Sequence, residues 1–425
     1  MVLSRREFIK WVSASAALSA AALPGCASLG KGASPRAVVI GGGYAGATAA
    51  KYIKIWGPDI EVTLVERDQE FISCPLSNLV LGGSSTISAL TVGYQGLAKH
   101  GVKMVHEEAV AVDAQKRTVQ LARGGNLSYD RLIIAPGIHF MYEQIPGLNN
   151  PDAQQKVLHA WKAGAQTVAL RKQLEAMPDG GVYALCIPKS PYRCPPGPYE
   201  RACQVAHYFK AHKPRSKVLI LDANDDVQSK KGLFTKAWKE RYAGIVEYHP
   251  NSVLTDVDAT TLTAKLEFEN VRADVLNVVP PQRAGDIAQS MGLITANNRW
   301  CGVDFLSYES AAQKNIHVLG DAILAAPAMP KSGHMANQQA KVCAAAVVAL
   351  LNNQPVNEQP MMNNTCYSFI TDSEVVHVTS VHRYDPQKKT MLAVEGSVGV
   401  SSAPTELEGQ YGWGWAQNIW ADMLA

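Results

Sequence analysis

The feature that most constrains the fold is a glycine-rich turn between a strand-forming and a helix-forming segment. Residues 36–40 are a largely β-branched run, Gly41-x-Gly43-x-x-Gly46 follows, and an Ala-rich stretch of helical character comes next. In such a turn the first glycine makes the bend, the second lets a pyrophosphate approach, and the third packs helix on strand. Glu66 ends the next strand-like run, where a carboxylate can bind ribose hydroxyls. These residues predict a dinucleotide-binding βαβ unit.

Two later segments favour FAD over NAD as the ligand of this unit. Residues 132–137 resemble the strand-to-turn segment of flavoproteins that have two dinucleotide domains, and they supply Ala135 and Gly137 as candidate binding residues. Gly320 and Asp321 precede a long Ala-rich helix, as in the second FAD motif of those proteins, whose Asp binds the ribityl chain. We therefore expect FAD as the cofactor.

A second unit of the same kind lacks the glycine-rich turn. Its strand, residues 182–188, runs into a loop with one glycine and several prolines that carries Cys194. Proline has no backbone N–H to donate, so this loop cannot cradle a pyrophosphate in the usual way. The sequence thus predicts that the nicotinamide route is closed and that the loop presents Cys194 in a rigid frame.

The N-terminus has the pattern of an export signal. Arg5 and Arg6 precede an apolar, Ala-rich stretch over residues 11–23, which is typical of a twin-arginine signal and predicts a periplasmic protein. A short helix of the mature protein and lipidation at Cys26 are the alternatives. The net charge of +3 is too small to indicate nucleic acid or an anionic membrane surface.

The chain resembles, over essentially its whole length, the flavoprotein subunit of flavocytochrome c sulfide dehydrogenase. The segments that carry the resemblance are 71–78 (Phe-Ile-Ser-Cys-Pro-Leu-Ser-Asn), 193–201 (Arg-Cys-Pro-Pro-Gly-Pro-Tyr-Glu-Arg), 330–333 (Pro-Lys-Ser-Gly) and 364–368 (Asn-Thr-Cys-Tyr-Ser).

The resemblance implies roles for particular residues. The sulfur of Cys74 would be bonded to the flavin 8α carbon, and Cys194 and Cys366 would form a redox-active disulfide beside the isoalloxazine ring. Glu200 and Trp415 would lie near that disulfide, with Trp413 as an alternative to Trp415. The implied partner is a c-type cytochrome subunit in a heterodimer. The haem belongs to that partner, because this sequence has no CxxCH attachment motif.

The expected fold class is α/β, with two Rossmann-like dinucleotide-binding domains of the glutathione-reductase-like flavoprotein kind and an α+β C-terminal domain. The predicted divisions are a signal peptide at 1–33, an FAD-binding domain at 34–150 and 275–353, a second dinucleotide-like domain without an NADH fingerprint at 151–274, and an interface domain at 354–425. No metal site is expected. The four cysteines with apolar neighbours are interpreted as structural: Cys186, Cys203, Cys301 and Cys343.

The predicted activity is oxidation of sulfide to sulfur or polysulfide by thiol–disulfide exchange, with electrons passed to the cytochrome. Three alternatives stay open: a sulfide:quinone oxidoreductase, an NADH-linked disulfide reductase, and a non-catalytic FAD electron-transfer module. The first usually ends in amphipathic helices, and the polar, Gly-rich tail at 409–415 does not suggest one. The second would need the missing glycine-rich loop.

Overall fold

Five parallel strands form the first sheet of the computed structural model, which describes residues 34–425. Their order across the sheet is Ile316–Val318, Arg131–Ile134, Arg36–Ile40, Glu61–Val65 and Val102–Val105. The helices Tyr44–Trp56 and Gly333–Leu351 pack against each other. Because the strands are parallel, the turns that follow residues 40, 134 and 318 meet at one edge of the sheet.

A second parallel sheet has four strands in the order Val246–His249, Lys217–Asp222, Val182–Ile187 and Val275–Val278. Its βαβ unit contains the helix Gly197–His212, and the helices Ala165–Ala176 and Lys231–Arg241 belong to the same region. This sheet is also buried, with Tyr183 to Ile187 all inaccessible to solvent. The loop at residues 188–196 therefore leaves the carboxyl edge of the second sheet.

The C-terminal region is an antiparallel sheet with one long helix. Its strands are Met361–Phe369, Val375–Asp385 and Thr390–Ala393, and the short strand Gly399–Val400 pairs with the second. The helix Glu406–Leu424 follows.

That helix corrects the sequence interpretation of the tail at 409–415, because the glycines do not interrupt it. The Thr405 hydroxyl accepts the N–H of Glu408 and so caps the helix N-terminus. A Cβ on Gly409 would lie 1.9 Å from the Ser373 carbonyl oxygen, so this glycine permits close packing of the helix. The buried residues of the last turns include Ile419, Trp420, Met423 and Leu424.

Smaller elements connect these layers. The remaining strands are Glu70–Ile72 with Thr91–Gly93, Ile138–Phe140 with Gln282–Ala284, Ile294–Ala296 with Trp300–Cys301, and two three-stranded antiparallel groups, Ala109–Asp113, Thr118–Leu121, Asn126–Ser128 and Leu254–Asp258, Thr263–Leu266, Asn270–Arg272. The remaining α-helices are Ser77–Gly82, Gln95–Lys99, Pro151–Lys156 and Asp286–Ser290, and the 3-10 helices are Ser88–Leu90, Tyr142–Gln144, Pro146–Leu148 and Gly320–Ala322.

The two parallel α/β sheets and the α+β C-terminal region confirm the predicted fold class. The domain boundaries stay predictions. The signal at 1–33 and Cys26 lie outside the described residues. Among residues 34–425, no helix combines the length and apolar character needed to cross a membrane.

Candidate active site

A cavity of about 620 Å³ opens where the turns of the first sheet meet the loop from the second sheet and the C-terminal strands. Most of the residues singled out from the sequence line it: Gly43, Glu66, Cys74, Ala135, Gly137, Cys194, Glu200, Gly320, Asp321, Cys366 and Trp415. Gly41 and Gly46 do not line the cavity.

The three motif glycines have distinct surroundings that match their expected roles. Gly41 has a positive φ of 97°, and a Cβ on Gly46 would lie 1.8 Å from the Gly41 carbonyl oxygen, so these two shape the turn and its packing. A Cβ on Gly43 would meet no atom within 4 Å, although Gly43 lines the cavity. The open space at Gly43 is a cradle that a dinucleotide pyrophosphate fits.

Glu66 and Asp321 extend this fit along the cavity. Oε2 of Glu66 accepts the Gly42 N–H at 2.6 Å, which holds the carboxylate beside the glycine-rich turn. Oδ1 of Asp321 is buried and has no hydrogen-bond partner within the described chain. An unpaired buried acceptor is costly, and a ribityl hydroxyl would satisfy it. The described residues therefore fit FAD, and the positions of Glu66 and Asp321 are compatible with the predicted contacts to the ribose and the ribityl chain, which stay predictions.

Three cysteines line the cavity, whereas Cys186, Cys203, Cys301 and Cys343 are buried elsewhere in the core. Cys194 has a positive φ of 57°, and its N–H donates to the Lys331 carbonyl at 2.8 Å, so the loop holds it in a fixed, left-handed conformation. Burial raises the pKa of Cys194, and the nearby Glu200 and Cys366 add to that effect. Both Cys194 and Cys366 are free thiols in this structure, so the disulfide between them stays a prediction.

Glu200 is a buried carboxyl group at the start of the helix Gly197–His212. Oε2 accepts a hydrogen bond from the Asn78 amide at 2.9 Å, and Oε1 accepts the Phe369 N–H at 2.9 Å. Burial raises the pKa of Glu200, although both hydrogen bonds act to lower it. A carboxyl group in this environment can hold a proton at a higher pH than an exposed glutamate.

The tryptophans of the C-terminal helix occupy different places. Trp415 lines the cavity and packs beside the rings of His334 and Tyr367, with centroids 5.9 and 6.2 Å away. Trp413 is not among the cavity-lining residues, and Trp420 donates a hydrogen bond to the Tyr44 hydroxyl. The position of Trp415 favours it over Trp413 for the predicted role.

Three basic residues near the cysteines were not assigned a role from the sequence. Arg193 donates to the sulfur of Cys74 at 3.2 Å. Lys331 is buried, donates to the Asp321 carbonyl at 2.9 Å, and has its pKa lowered to about 7 by burial. Arg193 lies in the segment 193–201 and Lys331 in the segment 330–333, both of which carry the family resemblance. Their position in these segments was the sequence signal that could have marked them as functional.

Lys230 is the third of these residues, and no sequence motif marks it. Its Nζ donates to the Cys366 carbonyl at 2.9 Å and to the Ser368 hydroxyl at 2.8 Å. Burial lowers the pKa of Lys230 to about 8, although the nearby cysteine and glutamate side chains act in the opposite direction. The lysine therefore places a buried positive charge beside the Cys366 strand at neutral pH.

The second sheet has no free ribose-binding carboxylate at the expected strand end. Asp222 ends the strand Lys217–Asp222, but its Oδ2 accepts hydrogen bonds from the Tyr199 and Tyr248 hydroxyls at 2.7 and 3.1 Å. Its Oδ1 accepts the Asn224 N–H at 3.0 Å. The carboxylate is buried and satisfied internally, which agrees with the proline-rich loop in arguing against a nicotinamide site.

Comparison with known proteins finds three family models that match parts of the chain. The family model described as "Sulfide dehydrogenase [flavocytochrome c] flavoprotein chain, central" matches residues 167–280, and "Flavocytochrome c sulphide dehydrogenase, flavin-binding" matches residues 358–424. A third, "Pyridine nucleotide-disulphide oxidoreductase", matches residues 35–177. The sulfide dehydrogenase [flavocytochrome c] flavoprotein chain of Chlorobaculum thiosulfatiphilum is 53% identical over 45 residues, which are 11% of this chain and 94% of that sequence. Two models of the flavocytochrome c sulfide dehydrogenase flavoprotein chain thus match the central and C-terminal parts of this chain. These matches support FAD as the cofactor and confirm the predicted oxidoreductase class.

Sulfide:quinone oxidoreductases are also similar. The mitochondrial enzyme of Mus musculus is 23% identical over 295 residues, 67% of this chain and 64% of the mouse protein, so the chain spans less than two thirds of that relative. The solved structure of the sulfide:quinone oxidoreductase of Aquifex aeolicus has a TM-score of 0.75 at 18% identity and covers 92% of this chain and 91% of its own. At that identity the likeness shows a common fold.

Proposed function

We propose that this flavoprotein oxidises sulfide at a disulfide formed by Cys194 and Cys366 and passes the electrons to a c-type cytochrome. The observation that carries the proposal is the position of these two cysteines. Cys194 is in the loop that follows the second sheet, and Cys366 is in the strand Met361–Phe369, 172 residues further along the chain. Both line the cavity that fits FAD, together with the buried carboxyl group of Glu200.

The chemistry is thiol–disulfide exchange. The sulfur of HS⁻ attacks one sulfur of the Cys194–Cys366 bond, so a new S–S bond forms as the old one breaks. One cysteine then carries a persulfide and the other is a thiolate. Two electrons have left the substrate sulfur and are held by the cysteine pair. FAD held beside this pair by the glycine-rich turn, Glu66 and Asp321 would supply a two-electron acceptor that can also give up electrons singly.

Glu200 and Lys230 adjust charge in this step. Because burial raises the pKa of Glu200, its carboxyl group can take the proton of the newly formed persulfide or give a proton to the leaving thiolate. The buried ammonium group of Lys230, held on the Cys366 carbonyl, stabilises negative charge that develops on the neighbouring sulfur. Trp415 forms part of the cavity wall and helps to exclude water.

The proposed cytochrome acceptor rests on the matching family models and on the sequence. The chain has no CxxCH motif, so any haem attached in the usual way would be on another chain. The family name describes a flavoprotein chain of a flavocytochrome c. We propose a heterodimer with such a cytochrome, and export to the periplasm by the signal at 1–33.

The likeness to sulfide:quinone oxidoreductases favours quinone as a second candidate acceptor. The test is anaerobic sulfide oxidation by the purified complex, with either its native cytochrome or a short-chain quinone as the electron acceptor. A separate sample receives NADH instead of sulfide as the electron donor. We expect cytochrome reduction with sulfide, slow reduction of quinone, and no flavin bleaching by NADH. If quinone were reduced faster than the cytochrome, quinone would be the acceptor. Rapid bleaching of the flavin by NADH would show that the proposed function is wrong.

A further inference from the structure

The sulfur of Cys74 lies in a small site formed by two hydrogen-bond donors. The Nη2 of Arg193 donates to this sulfur at 3.2 Å, and the N–H of Ala163 donates to it at 3.4 Å. A guanidinium and a backbone N–H around one sulfur form the kind of environment that activates a cysteine as a nucleophile. Cys74 and Arg193 both line the cavity.

The guanidinium is held in place by groups that do not depend on Cys74. Its Nη2 also donates to the Trp161 carbonyl, and its Nη1 lies 3.9 Å from Oδ2 of Asp321. The backbone N–H of Arg193 donates to the Gln282 side chain at 3.0 Å. The side chain is only 14% exposed, so solvent screens its charge weakly. The guanidinium is therefore fixed beside the Cys74 sulfur and weakly screened, unlike a mobile charge on the protein surface.

The geometry points to a second activity of this chain: Arg193 activates Cys74, and the protein thereby attaches its own FAD without a separate enzyme. The inference rests on FAD as the occupant of the cavity and on Cys74 as its attachment point, but not on sulfide chemistry. In this assignment Arg193 is a catalytic residue for the attachment, because it contacts the reacting sulfur.

The attachment step balances as an oxidation of the thiol and the flavin methyl group. The Cys74 thiolate forms a C–S bond to the 8α carbon, and one C–H bond of that methyl group breaks, with its proton released. The electron pair left by this bond change resides on the ring, which is thereby reduced by two electrons. Dioxygen takes the pair back and becomes hydrogen peroxide, so one peroxide forms for each C–S bond.

The same loop carries Arg193 and Cys194, which couples the two functions of the site. The loop that presents Cys194 to the substrate also places the guanidinium on Cys74. Attachment would therefore proceed only when the loop has reached its folded position. This coupling makes covalent FAD a mark of a correctly assembled cavity.

The test replaces Arg193 and measures attachment by acid precipitation and intact mass, without sulfide. Arg193→Ala should bind FAD but attach it about 10- to 100-fold more slowly than the wild type, because a charge-assisted hydrogen bond contributes an effect of that size. Arg193→Lys should attach FAD slowly, since it keeps the charge without the fork. Arg283→Gln is the matched control, because Arg283 has a similar exposure of 13% but does not line the cavity.

Rescue separates activation from a structural role. Millimolar guanidinium added in air to flavin-loaded Arg193→Ala protein should restore the covalent bond, with one peroxide released per flavin attached. Attachment at the wild-type rate in Arg193→Ala protein, or no response to guanidinium, would overturn the proposal. If that variant does not load flavin, Arg193→Lys decides, and attachment at the wild-type rate would overturn it. Flavin released by acid from the wild-type protein would remove Cys74 as the attachment point.

Discussion

Gly197 is the position where a single methyl group should change the chemistry most selectively. It is the first residue of the helix Gly197–His212 and lines the cavity. A Cβ added there would lie 2.9 Å from the Cys194 sulfur and 2.8 Å from Cη2 of Trp161. Ordinary contacts need about 3.5–4.0 Å, so the sulfur must retreat by roughly 0.6–1.1 Å in Gly197→Ala.

The expected magnitudes separate activity from stability. Overpacking costs about 1–3 kcal/mol, and alanine in place of glycine in a helix returns up to about 1 kcal/mol, so the variant should stay folded with FAD bound. A displacement near 1 Å at a reacting atom can cost about 100-fold in rate. We therefore expect the flavin to be reduced by sulfide about 10- to 100-fold more slowly, with a modest fall in Tm.

The assay is anaerobic stopped-flow bleaching of the flavin by sulfide, beside a thermal unfolding scan. Gly232→Ala is the control, because its Cβ would meet no atom within 4 Å in the helix Lys231–Arg241. That variant should bleach at the wild-type rate. A Gly197→Ala protein that bleaches as fast as wild type would show that the position of the Cys194 sulfur does not govern the reaction.

Three further predictions address the cofactor, the buried lysine and export. Gly43→Ala should fold but lose FAD, because its Cβ enters only the space that the pyrophosphate needs; FAD bound at full occupancy would contradict this. Lys230→Met should remove a pH dependence of the free energy of unfolding. Burial lowers the pKa of Lys230 from 10.5 to about 8, so the folded protein is most stable above pH 10.5, where the amine is neutral, and this stability is lost as the pH falls through 8. Between pH 7.5 and 9.5 the wild type should gain about 2 kcal/mol of unfolding free energy relative to Lys230→Met in urea titrations, and parallel curves would refute the lowered pKa. Arg5→Lys/Arg6→Lys should leave the protein in the cytoplasm on cell fractionation, and normal periplasmic yield would exclude the twin-arginine route.

The sequence predicted those parts of the molecule in which local pattern and packing agree. The strand Arg36–Ile40 and the helix Tyr44–Trp56 have the bounds that their residues suggest, because a buried parallel strand and a glycine turn leave few other choices. The helix Glu406–Leu424 was missed, since its glycines suggest an interrupted segment until the contact of Gly409 with Ser373 is known. Tertiary packing decided that element.

In the site, too, local sequence motifs could be predicted, whereas features that depend on tertiary packing could not. Cys194 and Cys366 could be named from motifs, but their place around one cavity depends on how the second sheet and the C-terminal sheet pack. Lys230 could not be found, because it reaches the Cys366 carbonyl across 136 residues and no local pattern marks it. A buried charge is visible only once the fold shows what surrounds it.

The most direct measurement of the central claim is anaerobic titration of the Cys194→Ser/Cys366→Ser protein with sulfide. A serine pair offers no electrophilic sulfur, so HS⁻ has nothing to attack. We predict a folded, yellow protein that sulfide does not bleach at any temperature and that dithionite still reduces. Sulfide-dependent bleaching near the wild-type rate would show that the flavin is reduced without this cysteine pair, and the proposed mechanism would be wrong.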